Sequence, residues 1–398
     1  MLYNEFQSLR LSALGFGAMR LPTLEGGVID QEELERMVDA AMAAGVNYFD
    51  TAHPYHNGKS EGALCRALSR YPRESWYLAD KFPGHQNVPG VRPLQPAEVF
   101  EEQLQRCGVE YFDFYLLHNV NENSMRYYGK PENGFMDYFL EQKARGRIRH
   151  LGFSCHAAPE GLGQFLALYG EHMEFCQIQL NYLDWSLQDA KSKVSILREW
   201  GIPVWVMEPV RGGRLAHFDE ATEARMKALR PEESVPAWAF RWLRTVPKPM
   251  MILSGMSNLA QMQDNLKTFS EDKPLSTEEL GLLDEIAASL AQFIPCTACR
   301  YCCAGCPKGL DIPTMLAMAN DMAVTKSFNT VSRYAALGEG KQGADCIGCG
   351  QCVRACPQKI DVPTQLKKLD ALMASQKSWE AICAERAAAA EALKAGQA

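Results

Sequence analysis

Two runs of cysteine near the C-terminus constrain this chain more than any other feature. Each run has the spacing Cys-x-x-Cys-x-x-Cys-x-x-x-Cys-Pro, and the second begins 50 residues after the first. The eight cysteines are Cys296, Cys299, Cys302, Cys306, Cys346, Cys349, Cys352 and Cys356. Four thiolates at this spacing bind a 4Fe–4S cluster, so the two runs predict two such clusters. The chain is therefore expected to carry out redox chemistry.

Zinc is the alternative metal for motifs built from Cys-x-x-Cys pairs. Zinc sites use two pairs of ligands, whereas each run here is a triplet followed by Cys-Pro, which favours iron. Cys303 lies beside a predicted ligand and is interpreted as a spare thiol. The remaining five of the 14 cysteines are expected to be small packed side chains, and they are Cys65, Cys107, Cys155, Cys176 and Cys383.

Length and charge narrow the class of protein. With 398 residues the chain is expected to contain one large domain and a smaller one. The formal net charge of −7 argues against a nucleic-acid partner. No apolar run approaches about 18 residues, which argues against a membrane span, and the first residues lack the pattern of a secretory signal. We therefore expect a reducing, cytoplasmic environment.

An alternation of strands and helices occupies the first 270 or so residues. Eight apolar runs are predicted as strands, at residues 11–14, 46–49, 76–79, 112–117, 150–153, 175–180, 203–207 and 250–253. Helices are predicted between them, for example 31–44 after the N-cap Asp30 and 96–107 before Gly108. Eight repeats predict an α/β fold, a parallel (β/α)8 TIM barrel. A doubly wound sheet is the competitor, but the strand count and the missing G-x-G-x-x-G turn weigh against it.

The C-terminal duplication extends beyond the cysteines. Residues 307–314, PKGLDIPT, match residues 357–364, PQKIDVPT, as in a two-cluster ferredoxin, and a helix at 314–323 predicts a mainly α-helical one. We expect a barrel domain at 1–275, a connecting helix at 276–292, a small ferredoxin-type domain at 293–365 and a helical tail at 366–398. The alanine-rich segment 379–396 is expected to be a solvated surface helix.

Four polar residues lie at or just beyond predicted strand ends, namely Asp50, Tyr55, Lys81 and His118. Reactive side chains of a TIM barrel lie at the C-terminal ends of its strands. A single residue of this kind is often a turn cap or a solvated charge. A set on three successive strands favours a catalytic site instead.

The sequence around these residues resembles the aldo-keto reductase family. The segment GVNYFDTA at 45–52, continued by Tyr55, Gly58, Ser60 and Glu61, is similar to that family's signature. Further similar segments are GFGAMR at 15–20, IRHLGFS at 148–154, QIQLN at 177–181, MEPVRGG at 207–213 and the stretch 255–265. With the cysteine runs, the whole chain resembles the iron–sulfur-containing branch of this family.

The resemblance implies a role for each of the four residues in reducing a small carbonyl compound, such as an aldehyde, ketone or sugar, or in oxidising the alcohol. Tyr55 would be the general acid, although an unperturbed phenol has a pKa near about 10. The Lys81 ammonium would lower that pKa, and Asp50 would hold Lys81 by an ion pair. His118 would orient the carbonyl oxygen.

The resemblance also implies that NADP(H) or NAD(H) binds across the barrel mouth. Ser154 and Gln177 would hold its carboxamide, and Cys155 stands where the family often has asparagine. The implied cofactor-binding residues are Gly17, Met19, Asp50, Ser154, Cys155, Gln177, Met207, Pro209, Arg211, Gly213, Gly255, Ser257, Gln261 and Asn265. No lysine or arginine stands in residues 254–261, so NADPH is favoured only by the family.

Clusters beside a hydride-transfer enzyme allow three interpretations. The clusters relay electrons to or from a partner such as a flavoprotein or ferredoxin, or they form a structural or oxygen-sensing appendage. In the third, the chain is an electron-transfer or docking protein with little carbonyl reductase turnover, which the intact set of four residues argues against.

Cys306 and Cys356 are each expected to ligate the cluster of the other half. Tyr127 and Tyr128 are expected to pack their loop.

Overall fold

Eight parallel strands close into a barrel in the computed structural model of the chain. The structure describes residues 1–88, 90–246, 250–290, 294, 296, 300–324, 327–356 and 358–395. Its strands are β1 Tyr3–Phe6, β2 Leu9–Ser12, β3 Leu14–Gly17, β4 Tyr48–Asp50, β5 Tyr77–Phe82, β6 Phe112–Val120, β7 Ile148–Cys155, β8 Cys176–Gln179, β9 Val204–Met207 and β10 Met251–Gly255. The barrel order is β10-β3-β4-β5-β6-β7-β8-β9, so the predicted TIM barrel is confirmed and the doubly wound sheet is excluded.

Helices follow the barrel strands and then make up the C-terminal region. They are α1 Gln31–Ala43, α2 Ser60–Leu68, α3 Pro96–Cys107, α4 Met125–Tyr128, α5 Phe135–Ala144, α6 Pro159–Tyr169, α7 Asp184–Leu187, α8 Ala190–Glu199, α9 Glu220–Leu229, α10 Val235–Leu243, α11 Leu259–Thr268, α12 Thr277–Leu290, α13 Tyr301–Ala304, α14 Ile312–Val324, α15 Phe328–Ala336, α16 Gln351–Ala355, α17 Val362–Ala374 and α18 Trp379–Ala395. Within the described ranges, no helix is both long and apolar enough to cross a bilayer.

Local sequence signals set the helix ends where they were expected. The Asp30 side chain accepts a hydrogen bond from the Glu33 backbone N–H and caps α1. Helix α3 ends at Gly108, which has the left-handed φ of 64° that favours glycine. Each predicted strand overlaps an observed one, although the first shares only Leu14 with the barrel strand β3 and its residues 11–12 belong to β2.

An antiparallel hairpin of β1 and β2, which the sequence analysis did not predict, closes the N-terminal end of the barrel. Phe6 and Leu11 of the hairpin are buried with residues from the starts of the barrel strands. Phe6 packs edge-on against Trp205, with the ring centroids 5.0 Å apart. This end of the barrel is therefore filled by apolar side chains, several of them aromatic rings.

Helices α13 to α17, which we call the cysteine module, repeat one helical arrangement twice. Helix α13 packs on α16 and α14 packs on α17 around an apolar core, as the sequence duplication implies. The described part of the module contains helices and no strand, which confirms the expected helical character. Helix α17 runs through residue 365, where the sequence placed the start of the tail.

The cysteine module lies against the C-terminal loops of the barrel. Three polar contacts join them: Asn119 Nδ2 donates to Asn329 Oδ1 at 3.0 Å, Gln188 Nε2 donates to Asp321 Oδ1 at 3.1 Å, and Arg333 lies 3.3 Å from Glu122. Arg211, which follows β9, also pairs with Asp321. The module therefore borders the same barrel face that carries the candidate catalytic residues.

Candidate functional site

The barrel brings the four predicted catalytic residues to one face. Asp50 is the last residue of β4, and Tyr55 begins a tight turn immediately after that strand. Lys81 and His118 lie near the ends of β5 and β6, the next two strands in the barrel. Neighbouring parallel strands end at the same edge, so these side chains point into one region.

A buried ion pair forms the base of this site. Lys81 Nζ lies 2.5 Å from Asp50 Oδ1 and also donates to the Thr51 carbonyl at 2.6 Å. Both charged side chains are at most 4% exposed. Burial is the largest single effect and opposes the charged form of the lysine, but Asp50, Tyr55 and Asp80 together outweigh it and raise the pKa of Lys81. The site therefore holds a fixed ammonium at neutral pH.

The phenol of Tyr55 lies beside that ammonium. Lys81 Nζ is 4.9 Å from the centre of the Tyr55 ring, and the His118 ring meets the same phenol edge-on at 5.8 Å. Burial raises the pKa of Tyr55 above its usual value, and the Lys81 charge opposes that rise. Lys81 thus acts in the expected direction, but burial is the larger effect. Tyr55 is a neutral phenol at physiological pH.

Burial also keeps His118 neutral, because it lowers the pKa of the imidazole well below the usual value, with His85 and Lys81 adding to the effect. Within the described chain, His118 Nδ1 is buried without a hydrogen-bond partner. The His118 backbone carbonyl accepts from Tyr128 Oη at 2.9 Å and contacts His85 Nδ1 at 3.0 Å. Tyr128 is fully buried, so it packs its loop as predicted.

The implied cofactor-binding residues lie along the opposite arc of the barrel mouth. Ser154 and Cys155 end β7, Gln177 lies in β8, Met207 ends β9, and Gly17 and Gly255 end the neighbouring strands β3 and β10. Met19, Pro209 and Gly213 occupy the loops that follow these strands, and Ser257, Gln261 and Asn265 lie at or near helix α11.

Unpaired buried atoms on this arc match the needs of a carboxamide. Gln177 Oε1 is buried without a partner among the described residues, so it is free to accept from an amide N–H. The Ser154 hydroxyl oxygen accepts from the Asn119 backbone N–H at 2.7 Å, which leaves its proton to donate. Burial raises the pKa of the Cys155 thiol to about 11, so Cys155 stays a neutral thiol there.

Arg211, which was expected to contact the cofactor, pairs mainly with carboxylates of the protein itself. Its guanidinium is buried between two carboxylates, with Nε 3.0 Å from Asp184 Oδ1 and Nη2 bonded to Asp321 of α14. Nη1 is buried without a partner among described residues. Arg211 therefore joins the loop after β9 to the cysteine module and keeps one donor for a further ligand.

Arg20 is a cation that the sequence analysis did not assign. It follows β3, its carbonyl accepts from Ser257 Oγ at 3.1 Å, and its Nη2 would lie 3.2 Å from a Cβ added at Gly212. The order of strands in the closed barrel could have identified it, because β3 pairs with β10 and Arg20 therefore lies beside the loop after β10. That loop itself lacks a basic residue.

Helix α18 also borders the site, contrary to the prediction of a solvated helix. Its face contains Trp379, Ile382 and Cys383, all at most 7% exposed, and the helix contacts the turn that begins at Tyr55. Trp379 Nε1 donates to the His85 carbonyl at 3.2 Å. The spacing of these residues with Arg386, at i, i+3, i+4 and i+7, is the signal that could have identified a buried face.

The cysteine module contains a cavity lined by residues of both cysteine runs. Its sulfur-bearing lining residues are Cys306, Cys346, Cys349 and Cys352, and most of the rest is apolar. One cysteine of the first run thus faces three of the second, as the crossed ligation predicts. Cys296, Cys302 and Cys356 are also described, whereas Cys299 lies outside the described residues.

The spacing of these thiols suits a cluster better than a single ion. Within the described ranges, no three His, Cys, Asp or Glu residues are close enough to hold one metal ion. A zinc ion needs all four ligand atoms within about 2.3 Å of one point. Four thiols spread around one cavity fit the larger iron–sulfur cube instead.

Comparison with protein families agrees with both parts of the chain. Residues 13–288 match the model of the aldo/keto reductase family, which is more than half of the chain. The chain belongs to the aldo/keto reductase family. Residues 295–360 match the model described as a 4Fe-4S dicluster domain, so this family member carries an iron–sulfur module.

Relatives of known name align with the reductase barrel. An NADH-specific methylglyoxal reductase of Escherichia coli strain K12 is 24% identical over 71% of this chain and 96% of its own length. A probable aldo-keto reductase of Glycine max is 24% identical over 52% of this chain, and an aldo-keto reductase of Mycolicibacterium smegmatis is 33% identical over 44%. The chain spans 58% and 60% of the length of these last two proteins.

Solved structures confirm the fold of the aldo/keto reductase part. The holo form of an aldo-keto reductase from Bacillus halodurans superposes with a TM-score of 0.56 at 24% identity, covering 72% of this chain and 96% of that one. An aldo/keto reductase from Klebsiella pneumoniae in complex with NADP and acetate gives 0.54 at 20% identity, covering 71% and 93%. Both likenesses concern the barrel.

Proposed function

We propose that this protein reduces the carbonyl group of a small molecule with NAD(P)H, or oxidises the corresponding alcohol. The observation that carries the proposal is the buried Lys81–Asp50 pair with the Tyr55 ring beside it and the His118 ring packed edge-on against Tyr55. An ammonium fixed beside a neutral phenol is what a proton donor to a carbonyl oxygen requires. The membership of the chain in an oxidoreductase family supports the same chemistry.

Each of the four residues has a distinct part in that reaction. The neutral Tyr55 phenol donates its proton to the carbonyl oxygen, and the Lys81 ammonium stabilises the phenolate that remains. Neutral His118 donates a hydrogen bond that orients the oxygen. Asp50 keeps Lys81 in place, and solvent returns the proton to Tyr55 after the alcohol leaves.

The unpaired polar atoms across the mouth fit a nicotinamide nucleotide. Gln177 and Ser154 would hold the carboxamide, while Arg211 Nη1 and Arg20 would meet phosphate oxygens. When bound, the nucleotide supplies the hydride that adds to the carbonyl carbon. The relatives include an NADH-specific reductase and a neighbour complexed with NADP, and Arg20 is the cation here that would favour a 2′-phosphate.

The cysteine module is proposed to hold two 4Fe–4S clusters with crossed ligands. Cys306 would complete the cluster of Cys346, Cys349 and Cys352, which line one cavity with it. Cys356 would complete the cluster of the first run by the same duplication. The intracellular, reducing environment that such clusters require would be the cytoplasm.

A second function, electron relay, is favoured by where the module contacts the barrel. Asn119 joins Ser154 to Asn329 of the module, and Arg211 joins the loop after β9 to Asp321. Both contacts lie beside the residues proposed to hold the nucleotide. The clusters would then exchange single electrons with a flavoprotein or a ferredoxin as partner.

Carbonyl reduction is tested with the iron-loaded protein under anaerobic conditions. NADPH and NADH oxidation are followed with a panel of aldehydes, ketones, oxo-acids, sugars and quinones. Tyr55→Phe should reduce kcat/KM about 100- to 10,000-fold, the usual effect of a placed acid. Tyr77→Phe, at the start of β5 away from the barrel mouth, is the matched control and should keep full activity. Full activity in Tyr55→Phe would refute the assigned mechanism.

Electron relay is tested with the same protein and no carbonyl substrate. NADPH is added anaerobically while the visible absorption of the clusters is recorded, with and without an added flavoprotein. Bleaching of the clusters supports the relay. Unchanged absorption under both conditions, with a reduced flavoprotein present, would leave the clusters a structural role.

A further inference from the structure

An arginine on helix α18 reaches the catalytic opening without an acidic partner. Arg386 lies near enough to Tyr55, His85 and His118 for its charge to act on all three. Within the described part of the chain, Arg386 forms neither a salt bridge nor a hydrogen bond. Its one recorded side-chain contact is with the Trp379 ring, whose centre is 5.7 Å from the guanidinium carbon.

The base of helix α18 fixes where this arginine stands. The Trp379 indole is 3% exposed, donates to the His85 carbonyl and packs on the His85 ring with the centroids 5.6 Å apart. The His85 ring in turn meets the ring of His118 at 4.6 Å. Arg386 follows Trp379 by two helical turns on the same face. Its position is therefore tied to the residue that orients the carbonyl.

None of the described groups that act on Arg386 neutralises it. Burial lowers the pKa of both His85 and His118, so both rings are neutral. Burial raises the pKa of the Cys383 thiol to about 12, so this neighbour carries no charge either. Asp50 is already paired with Lys81. The opening therefore carries a net positive charge at neutral pH.

Arg386 is a half-buried cation without an acidic partner among the described residues, so a ligand can supply its counter-charge. Burial lowers the pKa of Arg386, although a guanidinium remains charged at any physiological pH. Partial removal of an unpaired ion from water is unfavourable, and pairing with an anion offsets that cost. The planar guanidinium fork matches two oxygens of a carboxylate or phosphate.

We propose that Arg386 binds an anionic group of the substrate, so that this reductase acts on carbonyl compounds that carry a carboxylate or a phosphate. The inference rests on the proposed carbonyl reduction at Tyr55 and names the class of substrate for that site. The hydride and the proton go to the carbonyl group as before, and the anionic group is unchanged. Arg386 is a specificity residue and takes no part in proton transfer.

Kinetics with matched substrate pairs test the specificity. Each oxo-acid is compared with its methyl ester, and each phosphorylated aldehyde with its unphosphorylated form. The wild type should prefer the anionic member, and Arg386→Gln should lower its kcat/KM about 10- to 100-fold, mainly through KM, with the ester unaffected. Arg386→Lys should recover part of the preference. Arg225→Gln, an exposed arginine on α9, is the matched control.

A binding measurement separates this proposal from the reaction itself. Malonate and inorganic phosphate are titrated by calorimetry into the iron-loaded wild type and into Arg386→Gln. Anion binding that is seen in the wild type and lost in Arg386→Gln supports the site. The anion that binds more tightly identifies carboxylate or phosphate as the recognised group. An unchanged acid-to-ester ratio together with equal anion binding in both proteins would overturn it. If no carbonyl compound is turned over but Arg386 still binds the anion, only the proposed reaction fails.

Discussion

The barrel mouth and the cysteine module both collect polar side chains from distant parts of the chain, but they hold them differently. In the barrel, Lys81 and Asp50 meet at 2.5 Å on strands whose positions are set by a large apolar core. In the module, Cys306 and Cys349 share a cavity wall without bonding each other. The first site is organised by protein contacts, whereas the second takes its order from the metal it binds.

The largest difference between the two regions is expected when one proposed cluster ligand, Cys302, is replaced. Cys302→Ser should lower iron content from about eight to about four atoms per chain, because one cluster loses a thiolate. The barrel should unfold at an unchanged denaturant concentration, since its core does not include this residue. Cys303→Ser is the neighbouring control and should retain all the iron. Equal iron in both variants would show that Cys302 is no ligand.

Breaking the ion pair in the barrel should have the next largest effect. Lys81→Met leaves Asp50 as a buried charge without its cation, which typically costs about 3–5 kcal/mol of unfolding free energy. Urea denaturation measures that cost. Adding Asp50→Asn should recover a large part of it, because the unpaired charge is then gone. If the double variant is less stable than Lys81→Met alone, the pair is not the source of the effect.

Lowering the pH should destabilise the barrel mouth before the cysteine module, because buried histidines such as His85 lie at the barrel mouth. Burial holds the pKa of His85 far below its unfolded value near about 6.5. Below that value the unfolded chain binds a proton that the folded chain refuses, so stability falls as pH falls. Stability should therefore decrease between pH 7 and pH 5, and this group contributes to the decrease. Urea denaturation of His85→Gln at both pH values should show a correspondingly smaller decrease.

The smallest effect is expected where the two regions meet. Asp321→Asn keeps the shape of the contact but removes a charge from the Arg211 bridge, and should cost about 1.5 kcal/mol. Iron content should stay the same, while proteolysis between barrel and module should become faster. Asp311→Asn, whose partner Arg300 is largely exposed, is the control with little effect expected. Equal proteolysis rates in the two variants would contradict a role for the bridge.

The sequence predicted the barrel because its strands are continuous apolar runs between helix caps. The first strand was misplaced, since the run 11–14 spans the end of β2, which pairs with Tyr3–Phe6 in the hairpin, and the start of β3. The four proposed catalytic residues were found because they lie next to strand ends, a local signal. The shift in the pKa of Tyr55 was not predicted, because it depends on how deeply the folded protein buries the phenol.

Residues that reach the site from far along the chain escaped the sequence analysis. Arg386 and Trp379 lie about 300 residues after His85 in the sequence, and their alanine-rich helix has the composition of a surface helix. The pairing of Arg211 with Asp321 likewise spans two domains. Such contacts depend on how the parts dock, which no local pattern reports. The crossed ligation expected from the cysteine spacing stays a prediction, and the cavity lined by Cys306 and the second run is compatible with it.

The cavity shared by Cys306 and the second cysteine run imposes an order of events on synthesis. A nascent chain that has passed residue 310 already contains the four cysteines of the first run, yet Cys306 lines a cavity with cysteines that are still to be translated. If the proposed crossed ligation holds, iron insertion at either site waits until both halves have left the ribosome. A gene cut between the halves would then yield two fragments, neither of which could be loaded alone.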